Sequence, residues 1–184
     1  EGMKELLNEF LRFSRMPTPN PKKTSLHKII EDILISYSEH EKNIQIKKSF
    51  DPNLAQLVID PEQIRRVLIN LFENATDAID EGGIIQIQTK ILKENQMVRI
   101  EFSDNGAGIS TSDREKLFLP HFTTKKRGTG LGLAIVNRIV IDHNGTIIVQ
   151  DNYPKGTTFI IDIPYSQTTQ KFDNTLSNSF SDIV

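Results

Sequence analysis

The run DNGAGI, from Asp104 to Ile109, and the run GTGLGLAI, from Gly128 to Ile135, together hold five of the chain's 10 glycines. Glycine gives up more backbone freedom on folding than any other residue, so this concentration implies bare backbone that something approaches closely. Asp104 follows the apolar run Val98 to Phe102, which puts a carboxylate at a strand's end with flexible backbone behind it. Asp-Asn-Gly is also ordinary turn chemistry. Gly128, Gly130 and Gly132 alternate and open a helical pattern, where free N–H groups and the helix dipole favour an anion such as a phosphate. The spacing is not that of a dinucleotide fingerprint, because the final glycine position is Leu133, and the Gly-Lys-Ser/Thr ending of a P-loop is missing.

A third group lies upstream. Arg66, Asn70, Asn74 and Asp77 stand at i, i+4, i+8 and i+11, one polar stripe along a helix whose apolar positions are Ile64, Val67, Leu68, Leu71, Ala75, Ala78 and Ile79. A solvated helix face gives the same pattern. Two asparagines one turn apart fit that explanation poorly, since Asn is a weak helix former and Glu, Lys or Gln serve a wet face better.

The elements that must position these groups are legible in outline. Asp60-Pro61-Glu62-Gln63 is a helix start, with an acid at the cap, proline at the first helical position and Gln three residues after the cap. This helix is predicted to run to about Asp80, where Glu81-Gly82-Gly83 stops it. Ile84 to Leu92 and Met97 to Ser103 alternate apolar and polar side chains and read as paired strands. A flexible polar region then leads through the glycine run into a helix ending near Asn144-Gly145, and Thr146 to Gln150 and Thr158 to Ile163 close the fold as a hairpin. Before Asp60 come a helix from Ser25, with Leu26, Ile29, Ile30, Ile33, Leu34 and Tyr37 on one side, and short strands at Ile44 to Phe50 and Gln56 to Ile59. Further upstream, Met3, Leu6, Leu7, Phe10, Leu11 and Phe13 recur at helical spacing until MPTPNP, whose prolines cannot continue a helix.

With 184 residues the chain suits one well-buried domain plus a short extra segment, not two full domains. A net charge of -2 supplies no field that would draw nucleic acid, and zero cysteines exclude disulfides, thiol catalysis and thiolate metal sites. No apolar run approaches the roughly 18 residues needed to cross a bilayer. Opening on Glu1 inside a helical pattern suggests a piece of a longer protein.

The order NLFENATDAI, DNGAGI, FLPHFTTKKRGTGLGLAI and GTTF resembles the N, G1, F and G2 boxes of the ATP-binding domain of bacterial sensor histidine kinases, part of a wider group that includes gyrase and Hsp90. The resemblance covers residues 25–164. The stretch LLNEFLRFSRMPTP further resembles the end of the dimerisation helix pair in nitrogen-regulation kinases of the NtrY type. The implied fold is a two-layer α/β sandwich of the Bergerat type, a mixed, mostly antiparallel sheet with helices on one face. The implied domains are the end of a dimerisation helix over 1–16, a Pro-rich linker over 17–24, the catalytic domain over 25–164 and a disordered tail over 165–184.

The resemblance also implies roles. Asn74 would hold Mg²⁺ against the ATP triphosphate, supported by Asn70, with Asp77 further along the stripe. Asp104 would accept a hydrogen bond from the adenine amino group, with Gly106 and Gly108 letting the base come close, Ile109 beside them, and Thr157 and then Thr158 sharing the contact. Gly128, Gly130 and Gly132, with Thr129, Leu131 and Leu133 between and after them, would hinge a lid and offer N–H groups to the phosphates. In the lid, Phe118 and Phe122 would form a hydrophobic latch, and Thr123, Thr124, Lys125, Lys126 and Arg127 would bring donors and charge. Asn70 and Lys125 would act in catalysis. The phospho-accepting histidine belongs in a helix reading roughly His-Glu-x-x-Asn; His27, His40, His121 and His143 do not match, so it is expected upstream of Glu1. A response regulator is the implied onward partner, a homodimer through the dimerisation helices the implied assembly, and the cytoplasmic side of an inner-membrane sensor the implied location. Two rivals stand: a conformational ATPase of the gyrase or Hsp90 kind, which would carry a glutamate where this chain has Asn70, and an inactive nucleotide-binding signalling module.

Overall fold

The structure, a computed structural model, describes residues 16–37, 44–80, 82–125 and 128–165. In chain order the elements are β1 (Lys22–Thr24), α1 (Leu26–Tyr37), β2 (Gln45–Ser49), β3 (Leu57–Ile59), α2 (Pro61–Ala78), β4 (Ile84–Leu92), β5 (Met97–Asp104), α3 (Thr111–Arg114), α4 (Gly132–Asp142), β6 (Thr146–Asp151) and β7 (Thr157–Pro164). Five strands form one sheet in the order β2-β4-β5-β7-β6, parallel only between β2 and β4. This is the mixed, mostly antiparallel α/β architecture expected.

Strand alternation fixes which face is covered. Ile85 and Ile87 of β4, Val98, Ile100 and Phe102 of β5, and Phe159, Ile161 and Ile163 of β7 are buried together with the apolar faces of α1, α2 and α4. The opposite face is polar, and there Arg99 of β5 makes two 2.8 Å hydrogen bonds to the carboxylate of Asp162 on β7. Phe72 of α2 meets Phe102 edge to face at 4.9 Å, joining helix to sheet at a point where both rings are fully buried. Cutting such a ring back to Ala costs about 3–5 kcal/mol. Phe72 was not among the predicted apolar positions of its helix, and Ala78, which was, is half-buried.

The start of α2 follows its sequence signal. Asp60 Oδ1 accepts from the N–H groups of Glu62 at 3.0 Å and Gln63 at 3.1 Å, with Pro61 at the first helical position. Burial works against the Asp60 carboxylate, but N–H donors from Asn20, Gln63 and Glu62 more than reverse this and hold it below the usual carboxylate range. The Asp60 N–H donates to His143 Nε2 at 3.0 Å, and His143 Nδ1 lies 2.8 Å from the Ile139 carbonyl. A backbone N–H can only donate, so His143 carries its proton on Nδ1 and staples the end of α4 to the start of α2.

The Pro-rich segment differs from the expected stiff linker. Lys22, Lys23 and Thr24 pair antiparallel with Ile59, Val58 and Leu57. Asn20 N–H donates to Asp60 Oδ2 at 2.8 Å and Gln63 Nε2 donates to the Pro17 carbonyl at 3.0 Å. Proline cannot donate to a ladder, but the residues after Pro21 can, and their partner strand lies more than thirty positions away, beyond local reading. Smaller differences are one-residue extensions of β5, of β6 and of each end of β7, and an earlier end to α2, where Ile79 turns extended. The upstream helical pattern within 1–15, residues 38–43, Glu81 and the tail from 166 lie outside the described residues.

Candidate functional site

A cavity of about 570 Å³ lies between α2, the ends of β5 and β7, and the segment joining β5 to α4. That volume is within the range of small-molecule and cofactor sites. Asn70, Asn74 and Asp77 line it from α2, Asp104 from β5, Thr157 from β7, Gly108, Ile109, Phe122, Thr123, Thr124, Lys125, Gly128, Thr129 and Gly130 from the connecting segment, and Gly132 and Leu133 from the start of α4. The helix stripe and the two glycine runs, far apart in sequence, are therefore one site.

One end is buried and made by regular elements. Asp104 is 3% exposed and Thr157 4%, and they face each other in the β5–β7 register. Asp104 Oδ1 accepts the Gly106 N–H at 2.8 Å, and its backbone carbonyl accepts Asn152 Nδ2 at 2.8 Å. Burial pushes the Asp104 carboxyl above the usual carboxylate range, opposed by the N–H groups of Gly106 and Thr157. A carboxyl held in place by its own loop, deep in a cavity, is an acceptor aimed at a hydrogen-bond donor on a ligand.

Two of these glycines have structural reasons of their own. A Cβ on Gly106 would stand 2.6 Å from the Ala78 carbonyl oxygen, so the bare backbone at 106 serves the packing of this loop against the end of α2. The Ala107 N–H donates to that same carbonyl at 2.9 Å. Gly108 has φ +81, a conformation that side chains rarely adopt. Gly106 is absent from the cavity lining, and the Leu131 side chain is fully buried in the core, so it anchors the second glycine run from behind.

The other end is open and made by side chains. Lys125 Nζ donates to Asn74 Oδ1 at 2.8 Å and to Asp77 Oδ2 at 2.7 Å, crossing from the connecting segment to α2. The Lys125 and Asp77 side chains are 41% and 57% exposed. Asn70 spends its Nδ2 on the Arg66 carbonyl of its own helix, 2.8 Å away, while its Oδ1 lies so near Gly132 that a Cβ there would stand 2.6 Å from it. Gly132 opens α4 and no side chain caps that helix start, so its first N–H groups are available at the cavity edge.

The connecting segment has more structure than a flexible polar region. Ser110 caps α3, Arg114 bonds Asp151 and the Ile109 carbonyl, Leu117 is buried, and Phe118 packs against the core. The His121 N–H donates to the Gly130 carbonyl at 2.9 Å, tying the two limbs of the segment together. Gly130 has φ +69, and a Cβ there would stand 2.5 Å from the His121 carbonyl carbon. Of the expected latch, Phe122 faces the cavity and Phe118 the core. Thr158 turns to the other face of the sheet and bonds Ser103 at 2.9 Å, which leaves Thr157 as the hydroxyl beside Asp104. Lys126 and Arg127 lie outside the described residues.

Sequence reasoning missed four lining residues: Glu73, Ala78, Leu117 and Phe159. Glu73 is not on the stripe of 66, 70, 74 and 77, yet the cavity is wide enough to take in that side of α2; its spacing of four residues from Asp77 is the available signal. Among the described residues no cluster of three or more His, Cys, Asp or Glu could cage a metal. Asn74 Oδ1 and Asp77 Oδ2, which already converge on one positive charge, suit a hard cation such as Mg²⁺ that takes its remaining oxygens from phosphates and water.

Comparison with known proteins agrees with this geometry. Residues 59–167 match the family model described as histidine kinase-, DNA gyrase B-, and HSP90-like ATPase. The sensor histidine kinase ZraS of Escherichia coli (strain K12) is 37% identical over 135 residues, covering 73% of this chain and 29% of that protein. The chain thus spans less than a third of that curated relative. Among solved structures, the catalytic domain of histidine kinase ThkA superposes with a TM-score of 0.71 at 33% identity, over 79% of this chain and 96% of that one. ThkA in complex with the response regulator protein TrrA gives 0.74 at 28% identity, over 89% of this chain and 47% of that one. The chain belongs to the histidine kinase-, DNA gyrase B- and HSP90-like ATPase family, and within it is a catalytic ATP-binding domain of the sensor histidine kinase type.

Proposed function

We propose that the cavity holds Mg²⁺-ATP with adenine at Asp104 and the triphosphate toward Asn74, Lys125 and the start of α4, and presents the γ-phosphate to a histidine upstream of this chain. The observation that carries the reading is the polarity of one cavity: a buried, loop-held acceptor at one end and an exposed cluster of oxygens with a lysine at the other. Phosphoryl transfer asks little covalent chemistry of the protein, so the residues act by orienting and neutralising. Asp104 accepts from the adenine amino group and would meet the guanine oxygen as a second acceptor, which selects adenine, and Thr157 stands beside it. Asn74, with Asp77, holds the cation, which neutralises phosphate charge when bound. Asn70 supports Asn74 from one turn earlier, beside the start of α4, and Lys125 brings positive charge toward the γ-phosphate.

Two of the described histidines are engaged in structural contacts, which supports an acceptor elsewhere. His143 is buried with both ring nitrogens engaged; His27 is stacked on Phe50 at 4.4 Å and bonded to Thr89 at 2.9 Å, and burial lowers its pKa. The phosphate would pass on to an aspartate of a response regulator, and the whole protein would be a homodimer joined through dimerisation helices that residues 1–16 end. The proposed NtrY-type, nitrogen-regulating subfamily rests on LLNEFLRFSRMPTP, and the cytoplasmic side of an inner-membrane sensor is the location that follows; among the described residues no helix is long and apolar enough to cross a membrane. Residues 25–164 form the catalytic domain in this reading, with 17–24 as a docked strap in place of a free linker and 165–184 as a tail.

Calorimetry of the chain with ADP and GDP, each with and without Mg²⁺, tests the nucleotide reading. ADP binding that exceeds GDP binding and strengthens with Mg²⁺ is expected; equal affinity for the two bases overturns the role of Asp104. Supplying an upstream histidine helix in trans should yield acid-labile, base-stable label on that helix, whereas label on this chain alone would place the acceptor inside it.

A further inference from the structure

We infer that Lys125 is a tethered competitor for the cation: its ammonium holds the Asn74 oxygen, so a divalent cation must displace it before Asn74 can bind metal. The inference rests on the nucleotide reading above and adds an order of events to it. Lys125 Nζ is 2.8 Å from Asn74 Oδ1 and 2.7 Å from Asp77 Oδ2, full hydrogen-bond distances to both. These contacts span 51 and 48 positions of sequence, so they join two independent parts of the fold.

An amide oxygen that lies against an ammonium at this distance cannot also coordinate a cation, because the two positive charges would stand within a few ångströms of each other. The two states therefore exclude one another. Asp77 strengthens the lysine's hold, since its carboxylate carries the formal charge that Asn74 lacks. The contact is exposed, and an exposed ion pair is worth little, so it is weak enough for Mg²⁺ to break. Once displaced, the ammonium is still attached beside Thr123 and Thr124 at the cavity wall and is free to meet phosphate oxygens. The lysine thus takes two partners in turn: Asn74 with Asp77 before the cation arrives, and the nucleotide after. Its connecting segment is drawn against α2 in the first state and released in the second.

The test compares the wild-type chain with Lys125→Met, which keeps the stem's length without its charge. ADP binding is titrated at rising Mg²⁺. Lys125→Met should reach half-maximal binding at about two- to fivefold lower Mg²⁺, the scale an exposed ion pair supports, with no gain in EDTA. The gain should shrink in the Asn74→Ala background, where one of the two contested oxygens is gone, and vanish when Asp77→Ala is added to it. A Mg²⁺ requirement that is unchanged or raised by Lys125→Met overturns the inference.

A nucleotide-free arm keeps the two readings distinct. Mn²⁺ alone should broaden the Asn74 side-chain amide resonance at lower concentration in Lys125→Met than in wild type. That gain with no ADP binding in either protein would uphold the competition and overturn the nucleotide reading. Good ADP binding with equal Mn²⁺ responses would do the reverse.

Discussion

The two ends of the cavity are built by opposite means. At the Asp104 end, the groups are buried, their donors are backbone N–H groups, and the loop is pinned by Asn152 and by the Ala78 carbonyl. At the Lys125 end, the groups are exposed, the contacts are side chain to side chain, and the lysine belongs to a segment that reaches across the cavity. Backbone-held groups cannot re-aim without local unfolding, whereas long exposed side chains exchange partners at small cost. The first suits a base of fixed shape. The second suits a triphosphate and cation whose charge changes as the phosphate leaves.

The contrast predicts unequal responses to mutation. The largest should come from Asp104→Ala, which removes a charged acceptor from a dry position; a hydrogen bond to a charged group is worth about 1.5–3 kcal/mol, so calorimetry should show ADP weakened at least about tenfold. Asn74→Ala should act less and differently, abolishing most of the Mg²⁺-dependent part of ADP binding while leaving binding in EDTA intact. A loss that is equal with and without Mg²⁺ would remove the distinction between the two ends.

Salt separates them further. Raising ionic strength from about 0.05 to 0.5 M shortens the screening length to a few ångströms, so ADP affinity should fall several-fold while adenosine affinity, which tests the Asp104 end alone, stays nearly level. A parallel fall for adenosine would mean that the buried end also relies on long-range charge.

The smallest effect is on stability and reverses the sign of the first. Because burial raises the folded-state pKa of Asp104 above its unfolded value near 3.8, stability is lost as pH rises from that value through the raised one, and the full cost persists at neutral pH. Asp104→Asn should therefore raise the Tm of the ligand-free protein at pH 7, and the gain should shrink toward pH 4. Asn keeps an oxygen for the Gly106 N–H, so the comparison isolates the charge. No gain at pH 7 would show that the loop's donors already offset the burial.

What was legible in the sequence follows from the range of the forces involved. The β4 bounds, the β5 strand and the cap of α2 are set by neighbours within a few positions, through alternation and through Asp60 reaching its own helix start. The cavity residues were legible because glycines, asparagines and a strand-end carboxylate are poor choices for their elements unless something else needs them. β1 was not, because Lys22–Thr24 become a strand only when Leu57–Ile59 arrive beside them. The cause of Gly106 was hidden for the same reason, since the Ala78 carbonyl that crowds it comes from a different element. Glu73 was not legible as a wall residue, because the polar stripe is a line of side chains while the cavity wall takes in a broader arc of α2.

The docked strap turns α2 into a lever. Ahead of β1, its hydrogen bonds from Pro17 and Asn20 end on Gln63 and Asp60, at the first turn of the helix whose far end carries Asn74 and Asp77. Asp60 and Asp77 lie 17 residues apart, about 26 Å along a helix at 1.5 Å per residue. A tug on the chain before Pro17 would therefore act at the root of this helix, and a small rotation there would appear at its tip as a sideways shift of Asn74 and Asp77. Movement of the strap would reach the cavity as torque on one helix.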